Sequence, residues 1–466
     1  MIANAPPPAA NPWRTELRAT FAMSWPLAAA NLLQMLTYAV DVIFIARLGE
    51  APLAASALVV ALFGLVLWAL SGLTGAVAPV IAAAVGTGDV RRGSVVRPVR
   101  RATRMALWLA VISGAGGMAL CLALGPLMRA TGQSDDIIVL ATSYNSLLVF
   151  SMIPMLLANV LRSFVSALGH PVFATIITAG GIGVNTGANY AFIFGNLGAP
   201  ELGLQGAAVA TILTTSTTFV AYVLAIRYTR HLNRFHVFGR LWVPDWAVFL
   251  RIIRLGTPIA LTITAEAGIF GAAAFLMGNI GTAQLAAHTV ALQIAALAFQ
   301  VPFGIGQAAT IRVGYFYGGG DRAGMARAGW TAIVLGTGFM AITAAAMVLF
   351  PRALLAIYLD PGAAKNAVLV GFALTYLKIA AAFQLADGVQ AVAAGALRGL
   401  QDTRVPMWIA AFSYWVPGIG VAVLLGFYTA LAGVGIWLGL ATGLTVAAVL
   451  LLWRWLKRET LGLTAA

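Results

Sequence analysis

The chain is written in apolar blocks. Runs of roughly 20 or more residues, built mainly from Ala, Leu, Val, Ile, Phe and Gly, recur from end to end. About 20 apolar residues is the length that carries an α-helix across the hydrocarbon of a bilayer. Lipid offers no partner for backbone N–H and C=O groups, so such a block must close its hydrogen bonds within itself. A soluble core is excluded by composition: 9% of the residues are charged and 61% hydrophobic, whereas a soluble chain carries roughly 25% charged residues. The fold class implied is an all-α polytopic membrane protein. The runs fall at 21–46, 54–85, 105–128, 137–160, 172–196, 204–226, 255–278, 284–311, 329–350, 367–397, 405–428 and 433–453, twelve transmembrane helices.

The net charge of +14 would point to nucleic acid in a soluble protein. Here the basic residues sit in a few short connections, which reads as membrane orientation, and no nucleic-acid partner is expected. With the N-terminus in the cytoplasm, one side holds Arg14 and Arg18, Arg91, Arg92, Arg97, Arg100, Arg101 and Arg104, and then Arg162. It also holds Arg227, Arg230, Arg234, Arg240, Arg251 and Arg254, then Arg312, Arg322 and Arg327, then Arg398 and Arg404, and finally Arg454, Lys457 and Arg458. That is 23 of the 28 Lys+Arg. The other side has Arg47, Arg129, Arg352 and Lys365, and Lys378 falls inside a span. The positive-inside rule then places both termini in the cytoplasm. The single cysteine, Cys121, provides no disulfide framework, and the first twenty residues, with Pro6, Pro7 and Pro8, read as a polar tail rather than a leader.

The two halves align without gaps at an offset of 232: Pro26 meets Pro258, Gly49 meets Gly281, Gly72 meets Gly304, and Asp89 meets Asp321. Six helices per half is an even number, so both halves run the same way through the membrane, as in transporters whose halves rock against each other. The expected organisation is a cytoplasmic tail 1–20, an N-lobe 21–226 with helices 1–6, a basic linker 227–250, a C-lobe 251–453 with helices 7–12, and a tail 454–466.

Three acids remain inside spans: Asp41, Glu266 and Asp387. A carboxylate at bilayer depth costs about 2.5–3.5 kcal/mol on insertion scales, and acids there commonly mark ion pathways. Helical spacing gives them polar company. Asn31, Gln34, Tyr38 and Asp41 share one face of helix 1; Thr178, Asn185, Asn189 and Asn196 form a stripe on helix 5; Gln293, Gln300 and Gln307 repeat by seven on helix 8; Gln384, Asp387 and Gln390 step by three on helix 10. Thr262 lies one turn before Glu266. These stripes predict an interior cavity in each half, with Pro26 and Pro258 able to bend helices 1 and 7 beside them. Glu266 and Asp387 are expected at comparable depth. Two carboxylates in one cavity repel, so H+ or Na+ is expected to bind both as one coupled site.

Other signals are weak. Gly86, Thr87, Gly88 and Asp89 spell a membrane-protease-like GxGD at the mouth of a basic loop, which reads as a solvated turn. Gly435, Gly439 and Gly443 form a small-residue face for helix packing. His288 near the start of helix 8 reads as a capping or hydrogen-bonding residue. No phosphate-cradling GK[ST] loop occurs. A nucleophile constellation or metal cluster is not seen, so no enzyme activity and no cofactor are expected.

The run AAHTVALQIAALAFQVPFGIGQAATIRVGYFYG, Ala286 to Gly318, resembles helix 8 of the multidrug and toxic compound extrusion (MATE) transporters. FQLADGVQAVAAGALRGLQDTRVP and PVFATIITAGGIGVNTGANYAFIFG resemble other parts of the same family, in its bacterial NorM-like branch. The resemblance implies a secondary antiporter that exports amphiphilic, often cationic, drug-like compounds from the cell inner membrane in exchange for H+ or Na+, by alternating access. It implies cation coupling at Glu266 and Asp387, with Na+ a candidate ion there, and a role for Asp41 in proton-linked bending at Pro26. Gln293 departs from the Asn expected in helix 8. The expected partners are small drug-like substrates and membrane lipid, with the protein a monomer. The alternative is a flippase for lipid-linked saccharides; such a cavity needs cationic groups for pyrophosphate, and three acids with a single distant Lys378 argue against it.

Overall fold

A computed structural model describes residues 11–88, 94–130 and 132–465; Pro6, Pro7, Pro8, Asp89, Arg91 and Arg92 lie outside the described residues. Every regular element among the described residues is helical. Eleven segments are long and apolar enough to cross a membrane: α1 (Pro12–Ala46), α2 (Glu50–Gly86), α3 (Val96–Ala130), α4 (Asp135–Ala167), α6 (Leu204–Tyr228), α7 (Trp246–Ile280), α8 (Thr282–Gly318), α9 (Arg322–Leu349), α10 (Ala364–Gly399), α11 (Arg404–Phe427) and α12 (Gly433–Leu456). Between α4 and α6 stands α5 (Val172–Phe194). Its 23 residues span about 35 Å, but Asn185, Asn189 and four glycines dilute its apolar character. All twelve expected spans are therefore helices.

Most helices outrun the apolar block that marked them. α3 begins at Val96 and α7 at Trp246, nine residues ahead of their apolar runs. Hydropathy reports only the hydrocarbon layer, whereas backbone bonding continues into the interface. Many arginines expected in loops are consequently helical, among them Arg97, Arg100, Arg101 and Arg104 in α3, Arg251 and Arg254 in α7, Arg162 in α4, Arg312 in α8 and Arg398 in the last turn of α10. The α1–α2 and α7–α8 turns at the opposite ends are short. Gly281 alone separates α7 from α8, and Gly49 enters α2 at φ 110, a left-handed conformation that suits glycine.

Prolines lie inside continuous helices at Pro26, Pro258 and Pro302. α11 instead carries a π-helical turn, Tyr414–Gly418, containing Pro417. Such one-turn bulges redirect side chains and are frequent at functional sites.

The chain forms two compact units, residues 29–260 and residues 11–28 with 261–465. The divisions fall at 28/29 in α1 and 260/261 in α7, each two residues past Pro26 or Pro258, so they obey the same 232 offset as the repeat. In the first unit, the start of α7 packs on α2: a Cβ at Gly256 would lie 2.2 Å from the Leu73 carbonyl oxygen. In the second, the start of α1 packs on α8, where a Cβ at Gly304 would lie 2.6 Å from the Ala28 nitrogen. The second unit also seats Gly435, Gly439 and Gly443 against Leu425, Ala422 and Gly418 of α11, the close helix packing expected of that small-residue face.

Candidate functional site

Each unit carries its own polar network. In the first, Asp41 of α1 faces α5, where Asn185 and Asn189 stand one helical turn apart. Its Oδ1 accepts from Asn185 Nδ2 at 2.9 Å and from Asn189 Nδ2 at 2.7 Å, and Asn189 Nδ2 also reaches Asn185 Oδ1 at 3.1 Å. Both asparagines are fully buried and Asp41 partly so. Tyr38 lies between Gln34 and Asp41. Ten residues earlier on α1, about 15 Å along the axis, the stripe meets a different partner. Arg162 of α4 donates from Nη2 to Asn31 Oδ1 at 2.5 Å and from Nη1 to Gln34 Oε1 at 3.5 Å. One face of α1 thus serves an acid with two amides at one end and a guanidinium at the other. Asn196, expected on the α5 stripe, falls in the turn after the helix.

In the second unit the two acids meet through one side chain. Gln390 Nε2 donates to Glu266 Oε1 at 3.3 Å and to Asp387 Oδ1 at 3.4 Å. Its Oε1 accepts from the Tyr414 hydroxyl at 3.0 Å. Gln390 and Asp387 are on α10, Glu266 on α7, and Tyr414 opens the π-helical turn of α11. Asp387 is 5% exposed and Tyr414 fully buried. Arg398 acts electrostatically on Glu266 and Tyr414 from the far end of α10. The cluster is a carboxylate pair bridged by an amide, anchored by a phenol and biased by a buried guanidinium. Such a set can hold a proton or a small cation, because either one offsets the cost of keeping negative oxygens buried.

The remaining expected residues scatter around this core. Gln384 lies one turn before Asp387 and bonds the Ala295 carbonyl at 3.5 Å, while the Thr343 hydroxyl donates to Gln384 Oε1 at 3.4 Å. Gln300 turns back to its own helix, to the Ala296 carbonyl at 3.3 Å. Thr262 is buried. Gln293 is exposed, whereas Gln300 and Gln307 on the same seven-residue step are half-buried. Lys378 is exposed. His288 does not cap a helix: it is 1% exposed, with its ring edge-on to Trp437 at 5.4 Å. Sequence reasoning missed Tyr414, Arg162 and Arg398. The available signal for Tyr414 was Pro417 three residues later, a break inside an apolar span.

Helices repeated in two halves, with carboxylates held in polar networks between apolar faces, define a polytopic helical transporter. A family model described as MatE matches the chain twice, over residues 26–191 and 258–424. The chain belongs to the MATE family of multidrug efflux transporters. Relatives described as "Probable multidrug resistance protein NorM" include one from Mesorhizobium japonicum, 42% identical over 449 residues and covering 96% of this chain and 95% of the relative. Another, from Brucella suis, is 42% identical over 448 residues, covering 96% and 94%. Among solved structures, one described as "MATE in the bent conformation" superposes with a TM-score of 0.84 at 22% identity, covering 98% of this chain and 100% of that chain. The eukaryotic MATE transporter AtDTX14 gives 0.83 at 18%, covering 97% and 99%. Those two likenesses establish the fold.

Proposed function

We propose that the protein exports amphiphilic, often cationic, drug-like compounds across the bacterial inner membrane in exchange for H+ or Na+, by alternating access. The observation that carries this reading is the Glu266–Gln390–Asp387 bridge in the second unit. An acid pair inside apolar helices is costly when ionised. Occupancy by H+ or Na+ relieves that cost, and release restores negative charge. A cationic substrate and the coupling ion then compete for the same electrostatic vacancy, which is the condition for exchange. The multidrug-resistance names of the relatives support the substrate class. Asp41, held by two asparagines in the first unit, is assigned a second protonation-linked role, with Pro26 as the bend in its helix.

The test is drug efflux from proteoliposomes with H+ and Na+ gradients imposed separately. At least one gradient is expected to drive export, and Asp387→Asn is expected to abolish coupled export while leaving expression and fold nearly intact. Export against a gradient at the wild-type rate by the folded variant refutes the assignment.

A further inference from the structure

A second charged feature lies outside both networks, in the first unit, where the segment after α6 folds over the start of α3. Residues 94–104 and 227–254 hold ten arginines and one acid, Asp245. Asp245 is buried and taken by the Arg101 guanidinium. Arg104, one turn further along α3, is 6% exposed and donates from Nη1 to the Arg240 carbonyl at 3.0 Å. Its buried Nε has no hydrogen-bond partner. Arg100 and Arg101 act on Arg104 through their like charge, and Arg240, whose carbonyl holds Arg104, is itself exposed, so the arginines of these two segments carry positive charge that the single acid Asp245 does not balance.

Directly along α3 from this group stand aromatic rings. Trp108 is four residues past Arg104, about 6 Å along the axis. Its Nε1 donates to the Leu241 carbonyl at 2.8 Å, and its ring meets Trp246 edge-on at 6.3 Å. Trp242 is 76% exposed and Trp246 58% exposed. Tryptophan concentrates at the membrane–water interface. Guanidinium groups fit phosphate oxygens in a two-pronged arrangement that ammonium groups do not. Cation above, tryptophan one turn below, is the layering of a phospholipid: phosphate, then glycerol, then chain.

We propose that Arg100, Arg104 and Arg240, with Trp108 and Trp246, form a binding site for an anionic glycerophospholipid, its phosphodiester on the guanidinium groups and its upper acyl chain along the two rings. Lipid with a neutral headgroup satisfies the rings but leaves the unbalanced positive charge in place, so the site discriminates by headgroup. The buried position of Arg104 distinguishes this from a diffuse basic surface, since its orientation is fixed by the Arg240 carbonyl before lipid arrives.

The test is native mass spectrometry of the full chain in micelles titrated with phosphatidylglycerol or phosphatidylcholine of matched chains. The wild type is expected to retain one phosphatidylglycerol with an affinity at least tenfold above phosphatidylcholine. Arg100→Gln with Arg240→Gln is expected to lose tenfold or more of the phosphatidylglycerol affinity, at about fivefold per arginine near a membrane surface. Arg404→Gln with Lys457→Gln removes the same charge elsewhere and is expected to leave binding unchanged. If the first double variant does not fold, R100Q alone carries the test with a loss of about fivefold. Equal affinity for the two lipids, equal losses in the two double variants, or displacement of phosphatidylglycerol by millimolar glycerol phosphate each overturns the proposal.

Discussion

Replacing Gln390 by Leu removes the link between the two acids of the second unit while nearly conserving volume, so a cavity does not confound the result. Three hydrogen bonds are lost, at 3.3, 3.4 and 3.0 Å. The first two donate to carboxylates but are long, which places each below the usual range for bonds to charged groups, at about 1 kcal/mol. They favour the ion-free, negative form of the pair, and their loss disfavours that form by about 2 kcal/mol. The half-maximal concentration of the coupling ion should therefore fall, by about thirtyfold at most. Release of the ion should slow in step, lowering maximal efflux. The third bond, from the Tyr414 hydroxyl to Gln390 Oε1, touches neither carboxylate, so its loss of about 1 kcal/mol is expected in stability rather than in ion affinity. The assay is efflux of a fluorescent cationic drug from proteoliposomes as a function of the imposed ion concentration, with thermal unfolding in detergent alongside. A folded Gln390→Leu protein whose half-maximal concentration is unchanged or higher refutes the bridging role.

Tyr414→Phe should lower stability by about 1 kcal/mol in the wild-type background and by much less beside Gln390→Leu, because the two side chains share one bond; a double-mutant cycle of unfolding checks this. Asp41→Asn should impair transport less completely than Asp387→Asn, since an amide can still pair with Asn185 and Asn189; full activity in the efflux assay removes Asp41 from the mechanism. Gly395→Ala should destabilise by about 1–3 kcal/mol, because its Cβ would lie 2.3 Å from the Gly306 carbonyl oxygen where α10 crosses α8; an unchanged unfolding midpoint contradicts that contact.

The helices were legible because crossing a bilayer imposes a length and a composition on every span, and the repeat was legible because Pro26, Gly49 and Gly72 recur at one offset. α5 shows where a single hydropathy criterion fails: Asn185 and Asn189 make it the most polar span and also form the Asp41 site. The acids and Gln390 were visible as polar residues at helical spacing. Their junction was not, since no periodicity on α10 says that α7 and α11 bring Glu266 and Tyr414 to the same amide. Tyr414 in particular depends on a π-helical turn, which adds one residue to a turn and rotates the rest of the helix beyond it. Charged helix ends misled in a consistent way. Arg312 looks like a loop residue after an apolar run, yet it is helical and its Nε bonds Glu16 Oε1 at 2.9 Å. Sequence shows a charge beside an apolar block; only packing shows that a distant carboxylate is waiting for it.

The central claim is that Glu266 and Asp387 form one ion site rather than two. Its most direct measurement is the affinity for the coupling ion, read from ion-linked conformational change, in Glu266→Gln, Asp387→Asn and the double variant. A shared site predicts that either single variant already loses most of the response and that the double variant adds little, with a coupling of about 1 kcal/mol or more. Effects that add within about 0.5 kcal/mol, with each single variant keeping a normal ion response, contradict the claim and assign the two acids to separate pathways.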